Sequence, residues 1–372
     1  MHNYQKTLLF YVLLLLVFLP SLLFFHSRTA FAENVEEPLS FFRGRVLSVE
    51  NVASTHPFAT LDQEAEVLLT GGPFRGKSVS IVSTFIEGDP HLNLYLEKGM
   101  EIILAASVAD GEITEAYLHD VARDRGLYYL LAIFVIMLLL IGRIQGLKTI
   151  ITLIFTGVVI LKVLLPLLLA GHEPIPVTTL SAIAIVVVTF LILSGISAKS
   201  FAAIVGTVCG VSVAGVLALW VGEISHLTGF SSEEAQMLYF MEQTINIRGL
   251  LFAGIIIGSL GAVTDMGMSI ASAAAEISSV NPRISPYRLT RAALNVGRDT
   301  MGTMSNTLIL AYTGGAMPLL LLFLGYEMDW LKIINLDLIA TEVVKGIAGS
   351  IGLFASIPVT AVVSGFMMGK KK

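Results

Sequence analysis

The chain has 372 residues, of which 55% are hydrophobic and only 14% are charged, and its formal net charge is −5. Soluble domains carry about 25% charged residues, so this composition excludes an ordinary soluble protein. It indicates an integral membrane protein, for which the lipid bilayer is an expected partner. The small, dispersed charge argues against nucleic-acid binding. The single cysteine, Cys209, excludes an intrachain disulfide and a cysteine-based zinc site. We expect no cofactor and no metal site.

Residues 1–32 have the pattern of an export signal. Lys6 precedes an apolar stretch over residues 8–25, and the small-x-small sequence AFA stands immediately before Glu33. The apolar core is long for a signal peptide, so an uncleaved signal anchor stays open beside cleavage after Ala32. Both alternatives export the segment that follows.

Residues 33–126 change character and predict a small extracytoplasmic β-rich domain. Short runs rich in β-branched residues alternate with Gly-Gly-Pro, Gly-Asp-Pro and Asp-Gly turns. Five or six short strands of this kind are typical of a small barrel of OB or SH3-like type.

Residues 127–369 predict a transmembrane helical domain, followed by a cytoplasmic basic tail at 370–372. Hydropathy gives apolar stretches of spanning or near-spanning length near 128–142, 149–170, 177–194, 200–222, 249–273, 300–325 and 346–368. Glycines four apart, such as Gly206 and Gly210, indicate close packing between helices. The predicted fold class is an α-helical polytopic membrane protein, with about seven transmembrane helices and the small β-rich module.

The distribution of basic residues gives an independent prediction of direction. If the β-rich module is exported, seven spans bring the C-terminus to the cytoplasm. The segments then expected inside hold ten Lys and Arg residues, whereas the outer loops between the spans hold three, at Arg248, Lys332 and Lys345. Because cytoplasmic loops carry the excess of Lys and Arg, this bias favours the exported module and a cytoplasmic C-terminus.

Few ionisable residues lie within the predicted spans, and Asp265 in the fifth span is the most informative. A charge at the centre of a bilayer costs at least about 2.5 kcal/mol, so its presence calls for an explanation. Ser269 and Glu276 follow Asp265 at helical steps and therefore share its face. Lys162, in the second span, is expected to extend its amine toward the membrane surface.

The sixth span begins with the polar sequence RDTMGTMSNTLILAYTGGAMP. One of its faces is polar or small, through Asp299, Gly302, Thr303, Asn306 and Thr313. Asp299 also fits a helix cap, and Asn306 also fits a helix-to-helix hydrogen bond. The sharper hypothesis is that this face turns toward the Asp265 face at a similar depth, while the outer half of the span faces lipid.

The residues on either side of this polar stretch add two expectations. Arg288, Arg291, Asn295 and Arg298 recur at helical steps, which predicts an interfacial amphipathic helix or a segment that closes the site from inside. Further along, TGG at 313–315 and a proline at 318 predict a break in the span, of the kind that exposes backbone dipoles in transporter sites.

Two stretches, GAVTDMGMSIASAAAEI and GRDTMGTMSNTLILAYTGGAMPLLLLF, resemble the YibE/F-like family of bacterial multi-pass membrane proteins. The amino-terminal signal, the exported module and the run of spans are similar in layout. The resemblance implies the bacterial cytoplasmic membrane, but no settled substrate or catalytic residue. The residues that carry the likeness are Asp265, Ser269, Glu276, Arg298, Asp299, Gly302, Thr303, Asn306 and Thr313.

The leading functional hypothesis is a transporter or permease for a cation, a proton or a small solute. The candidate substrate or ion-binding residues are Asp265, Ser269, Asp299, Thr303, Asn306 and Thr313, supported by Glu276, Arg298 and Gly302. Oxygen groups of this kind suit hard cations better than soft metals.

Two other classes of function are weighed against transport. One is a non-transporting assembly or sensor protein, whose exported module binds a ligand or partner. The other, an intramembrane enzyme, is disfavoured because the sequence has no HExxH or GxSxG motif and no His near a membrane Ser or Asp. The sequence leaves open whether the protein forms an oligomer.

Overall fold

The computed structural model describes residues 39–54, 59–86, 94–109, 111–241 and 244–370. The predicted signal at residues 1–32 and the last two lysines of the basic tail lie outside the described residues. The chain divides into two compact units, Met1–Met137 and Leu138–Lys372. The first holds a β-barrel, and the second holds a bundle of helices.

Five antiparallel strands curl into a nearly closed barrel. They are β1 (Ser40–Val52), β2 (Ala59–Leu69), β3 (Ser78–Ile86), β4 (Glu101–Ala109) and β5 (Glu112–Val121). Their order is β3-β2-β1-β4-β5, and β3 also approaches β5. Strand β4 returns to pair with β1, which is a Greek-key arrangement, and five strands arranged in this way are typical of OB-type barrels. The prediction of a small β-rich barrel is confirmed.

Side-chain alternation along β2 builds the barrel core. Ala65, Val67 and Leu69 are buried, whereas Glu64 and Glu66 between them are exposed. This is the period of two expected for a strand with one face against a core.

Strand β1 bends around the barrel at a bulge between Val46 and Ser48. Just before the bulge, a side chain at Gly44 would collide with the side chain of Val67 on β2. Glycine at this position therefore permits the close approach of the two strands.

An ion cluster joins the barrel to the first helix, α1 (Asp124–Gly142). The Glu101 side chain is only 12% exposed, and its Oε1 lies 3.0 Å from Nη2 of Arg45 and 2.8 Å from Nη1 of Arg125. Arg43 pairs with Asp124 and lies 3.8 Å from the second oxygen of Glu101. One carboxylate therefore holds β1, β4 and the first turn of α1 together.

We expect Glu101→Gln to weaken this junction by about 1–3 kcal/mol, because it removes the charge that three arginines share in a mostly buried position. The amide is of nearly the same size, so the barrel itself should fold. Trypsin cleavage after Arg123 and Arg125, measured on the full chain in detergent, should be faster in the variant.

Glu66→Gln is the matched control, since Glu66 is exposed on β2 and has no ion pair among the described residues. Equal cleavage rates in the two variants would show that the cluster does not stabilise the junction.

Nine more helices follow in the described residues. They are α2 (Ile144–Leu169), α3 (Pro174–Ser194), α4 (Ala198–Ile224), α5 (Glu233–Met241), α6 (Ile247–Val280), α7 (Pro286–Gly315), α8 (Met317–Gly325), α9 (Trp330–Ile334) and α10 (Asp337–Met368). By length and composition, α1, α2, α3, α4, α6 and α10 can each cross a membrane, and α7 with α8 makes a seventh span if the bent pair is counted as one. These helices indicate a membrane protein.

Helix α7 begins well before the predicted start of the sixth span near residue 300. Its cap is Ser285, whose hydroxyl accepts a hydrogen bond from the Arg288 amide. The basic segment predicted as a separate interfacial helix is the first part of α7 itself, because its residues keep one helical phase into the apolar stretch.

Helices α4 and α10 make the most extensive helix–helix contact of the described chain. A Cβ built on Gly352 of α10 would lie 2.6 Å from the carbonyl oxygen of Gly210 on α4 and 2.7 Å from Cβ of Ala214. Lipid supplies no hydrophobic force between helices, so this kind of close backbone contact at small residues is what holds them together.

The predicted break in the sixth span is confirmed. Helix α7 ends at Gly315, α8 begins at Met317, and the two are bent by 62°. Pro318 has no N–H to donate to the carbonyl of Gly314, and its ring crowds that carbonyl, so the helix cannot continue straight.

We expect Gly352→Ala to destabilise the bundle by about 1–3 kcal/mol, because the added methyl meets backbone and small side chains that cannot turn away. The measurement is the midpoint of thermal unfolding in detergent, which should fall.

Gly157→Ala in α2 is the control, since a Cβ there meets nothing within 4 Å. Alanine is the better helix former by about 1 kcal/mol, so this midpoint should hold or rise. A similar decrease in both variants would contradict the packing argument.

Candidate functional site

Helix α6 is packed on three sides and open on the fourth. Met266 contacts α7, Gly267 lies against α4, and Met268 contacts α3. Successive residues of a helix point about 100° apart, so these contacts use three of the four directions around α6. Asp265 points in the remaining direction and is exposed on the surface of the chain.

The residues that share this direction form what we call the α6 open face. Its exposed members are Gly254, Gly261, Asp265, Ser269 and Glu276. The face therefore changes along its length, from glycine only near the start of the helix to polar and acidic groups near its end.

The polar residues of α7 are also exposed. They are Asp299, Gly302, Thr303, Asn306 and Thr313, and Arg298 beside them is exposed as well. We call this set the α7 polar stripe.

Helix α7 packs against its neighbours through other residues. Gly297 lies against Ile270 of α6 and Ile357 of α10, and the Leu308 side chain lies beside Gly349 of α10. The expectation that the polar side of this helix packs directly on the fifth span is therefore wrong. Small and apolar groups take the buried contact because a buried polar group without a partner costs free energy.

The two polar surfaces nevertheless open on the same side of the α6–α7 pair. Thr300 Oγ1 lies 3.5 Å from Met266 Sδ, so these residues face each other. Asp265 and Asp299 each come one residue before this contact, and each is therefore rotated by about 100° from it. Because the two helices run in opposite directions, both rotations lead to the same side of the pair. Asp265 and Asp299 therefore both point to that side.

Further contacts fix the relative heights of the site residues. Ile270 lies level with Gly297, and Gly258 lies under the hydroxyl of Tyr312. This antiparallel register places Asp265 at about the level of Gly302. Asn306 lies nearly one turn farther along α7, and Thr313 is close to the break. The structure thus brings Asp265 and Thr303 to one level, with Ser269 and Asp299 together about one turn away toward the end of α6. Asn306 lies about one turn away in the other direction, and Thr313 is nearer to α8.

Local hydrogen bonds distinguish the hydroxyl groups from the charged and amide groups of these surfaces. The Thr303 hydroxyl donates to the carbonyl of Thr300, and the Thr313 hydroxyl donates to the carbonyl of Ile309, each at 2.9 Å. Among the described residues, the side chains of Asp265, Ser269 and Asn306 have no hydrogen-bond partner. Their polar atoms are therefore available to a ligand, to water or to another chain.

A family model described as YibE/F-like protein matches residues 130–370. The chain belongs to the YibE/F-like family. Searches of curated proteins and of solved structures found no match. The matched region begins inside α1, so the family is defined by the helices and not by the barrel.

Sequence reasoning missed a set of buried hydroxyls in this YibE/F-like bundle. Thr207 of α4 and Thr360 and Ser364 of α10 are fully buried, and their side-chain oxygens have no hydrogen-bond partner in the part of the chain that the structure describes. The Thr360 hydroxyl lies against Gly206, and the Thr207 hydroxyl lies against Gly267. The glycine spacing marked the close contact, but nothing in the sequence distinguished these hydroxyls from ordinary packing.

An apolar cavity of about 200 Å³ between α3, α4 and α6 was also not anticipated. It is lined mainly by aliphatic groups such as Val186, Val211 and Leu260. Its polar lining residues are the hydroxyl-bearing Thr179 and Ser212, with no charged group to bind an ion, and it lies apart from the direction of Asp265.

The exposure of Ser269 can be tested with a cysteine, because Cys209 is the only native one. In a Cys209→Ser background we expect Ser269→Cys to react at least about tenfold faster with a membrane-impermeant thiol reagent than a lipid-facing cysteine does, since the thiolate forms only where water reaches it. Labelling is measured in native membranes opened to both sides.

Val216→Cys is the matched control, because Val216 is 64% exposed on α4 among apolar neighbours. If the two cysteines react at the same slow rate, the α6 open face is not in contact with water.

Proposed function

We propose that this protein is a multi-pass membrane transporter or permease for a cation, a proton or a small solute, with its polar site where the α6 open face and the α7 polar stripe open together. The observation that carries the proposal is the position of Asp265. It lies inside a helix that can span a membrane, it is exposed, and it has no ion-pair partner among the described residues. A carboxylate at that depth is costly, and such residues mark ion and proton pathways.

The groups near Asp265 fit a hard cation or a proton. Thr303 on the facing helix offers a neutral oxygen at about the level of Asp265. Ser269 on the same face and Asp299 offer a hydroxyl and a second carboxylate about one turn away. Carboxylate, hydroxyl and amide oxygens are the ligands that hard cations prefer. The Asn306 amide, nearly one turn away, would take part in a neighbouring step of the path.

The basic and acidic groups at the ends of the site have supporting roles in this proposal. Arg298 attracts an anionic solute or steadies the adjacent Asp299, and Glu276 extends the negative charge of the α6 open face toward the end of the helix. Gly302 leaves space beside Thr303, since a Cβ there meets nothing within 4 Å.

The break between α7 and α8 supports a transport role. Discontinuous helices in transporters present backbone carbonyls and helix ends to substrates and coupling ions. Here Thr313 lies directly before the 62° bend, on the stripe that begins with Asp299. One helix thus offers side-chain oxygens along its length and a disrupted backbone at its end.

The proposal includes a location. We infer that the protein lies in the bacterial cytoplasmic membrane, with the barrel outside and the C-terminus inside. Its support is the excess of Lys and Arg in the segments that this orientation places in the cytoplasm.

Ion flux through the purified protein tests the proposal. Proteoliposomes containing a pH-sensitive dye receive, in separate experiments, a pH gradient or a pulse of Na⁺ or Mg²⁺. We expect the wild type to change the internal pH with at least one of these probes. Asp265→Asn should lower that rate by at least about tenfold, because it removes the charge that holds the cation or proton.

Glu234→Gln is the control for a generic loss of negative charge. Glu234 is an exposed acid on α5, a helix that is not among the candidate spans, so the flux should be unchanged. Full activity of Asp265→Asn would remove this residue from the mechanism. If the wild type responds to none of the three probes, transport of protons, Na⁺ and Mg²⁺ is removed from the proposal.

The barrel supports the second candidate, an assembly or sensor protein. Its ion cluster around Glu101 gives the barrel a firm connection to α1, as signal transfer from a bound ligand or partner would require. Under this alternative the wild type is inactive in every flux assay. Chemical cross-linking on intact cells should then join the barrel to one specific partner. Glu101→Gln should leave that cross-linked product unchanged but weaken the signal that passes from the barrel to α1.

A further inference from the structure

We propose that a second copy of this chain covers the open side of the α6–α7 pair, so that the α7 polar stripes of two copies pack against each other beside Asp265. This goes beyond the proposed function and holds whether the protein carries a solute or not. It assigns a partner to a surface that a single chain leaves exposed.

The first step is that this surface requires a cover. Asp265, Asp299 and Asn306 are exposed on helices that can span a membrane. Lipid offers no hydrogen bonds, and polar residues within spans accordingly face protein or water. Among the described residues, the single chain provides no hydrogen-bond partner for these three side chains.

The second step is that the α7 polar stripe is complementary to itself. Arg298 and Asp299 are adjacent, exposed and of opposite charge, and neither has an ion-pair partner among the described residues. In a two-fold interface the same patch meets itself, so each residue of one copy can meet the other residue of the partner. A patch with both signs side by side meets that requirement, whereas a patch of one sign would repel its copy.

The third step is that the stripe permits a close approach. A Cβ built on Gly302, or on Gly314, which shares the direction of Thr303, meets nothing within 4 Å. Small residues at a helix surface allow a second backbone to come near, and Thr and Asn then hydrogen-bond across the contact. Thr303 and Asn306 provide such groups on the same stripe.

The fourth step concerns α1, the other helix that could serve as a cover. None of its side chains is buried, and from Leu130 to Ile141 its sequence LLAIFVIMLLLI contains no polar side chain. It would cover Asp265 and Asn306 with hydrocarbon and leave both without a partner. A second α7 supplies hydrogen-bonding groups at the corresponding positions.

Cysteine cross-linking between two differently tagged copies tests the proposal. In a Cys209→Ser background, Asn306→Cys is placed on the α7 polar stripe and oxidised in native membranes. We expect a disulfide-linked pair that contains both tags. A disulfide forms only when the two Cα atoms come within about 7 Å, so the product reports direct contact between the stripes.

Val216→Cys on α4, which is similarly exposed, should give at most a trace of the pair. Equal cross-linking at both positions would show random collision and overturn the proposal. The proposal also fails if Asn306→Cys yields no pair, or if a second cysteine at Ala132→Cys in α1 captures it within one chain.

A charge exchange separates contact from misfolding. Arg298→Asp places like charges opposite each other and should strongly reduce the cross-linked fraction, whereas Arg298→Asp with Asp299→Arg restores the opposite pairing and should recover it. If the double variant folds but does not recover the pair, the charge pairing is wrong. Ion flux is measured separately, so a dimer without transport and transport without a dimer are distinguishable.

Discussion

Contact between the backbones of α4 and α10 is the interaction on which the helical bundle depends. Lipid is as apolar as the side chains it surrounds, so burying leucine between two helices gains little in a membrane. Gly210 and Gly352 have no side chains where the helices cross, so the two backbones can touch. The carbonyl oxygen of each glycine lies 2.6 Å from the position that a Cβ on the other would occupy. The buried hydroxyl of Thr360 lies against Gly206 at the same junction, and that of Thr207 lies against Gly267 where α4 meets α6.

This tight centre explains why the charged residues of α6 and α7 lie outside it. A helix that presents Gly267 to α4 and Met266 to α7 has little room left for a carboxylate on those sides, and a buried carboxylate would need a partner that the small residues cannot give. Asp265 therefore falls on the side without a neighbouring helix. Successive residues of a helix point about 100° apart, so one helix can carry an exposed carboxylate on one side and packing residues on its other sides.

The sequence was sufficient to locate the helices, the break and the barrel, but not to predict which face of each helix packs against its neighbours. Apolar length located the spans, and TGG with Pro318 located the break, because both effects are local along the chain. Turn residues and β-branched runs located the barrel for the same reason. The direction of the α7 polar stripe depends on which face of α7 packs better against α6 and α10. That choice is made by Gly297 and Leu308, whose shape fits their neighbours, and one sequence contains no record of those neighbours.

The family relationship narrows where function should be sought. The match covers residues 130–370 and leaves the barrel outside, so what defines the family lies in the helices. Within them, the α7 polar stripe combines features that packing alone does not explain: exposed Asp299 and Asn306, open space at Gly302, and a bend of 62° immediately after Gly315. A helix needed only for structure would be more stable with apolar groups at these exposed positions. The cost of keeping polar groups there is understandable if they meet a solute, a partner copy, or both across the same surface.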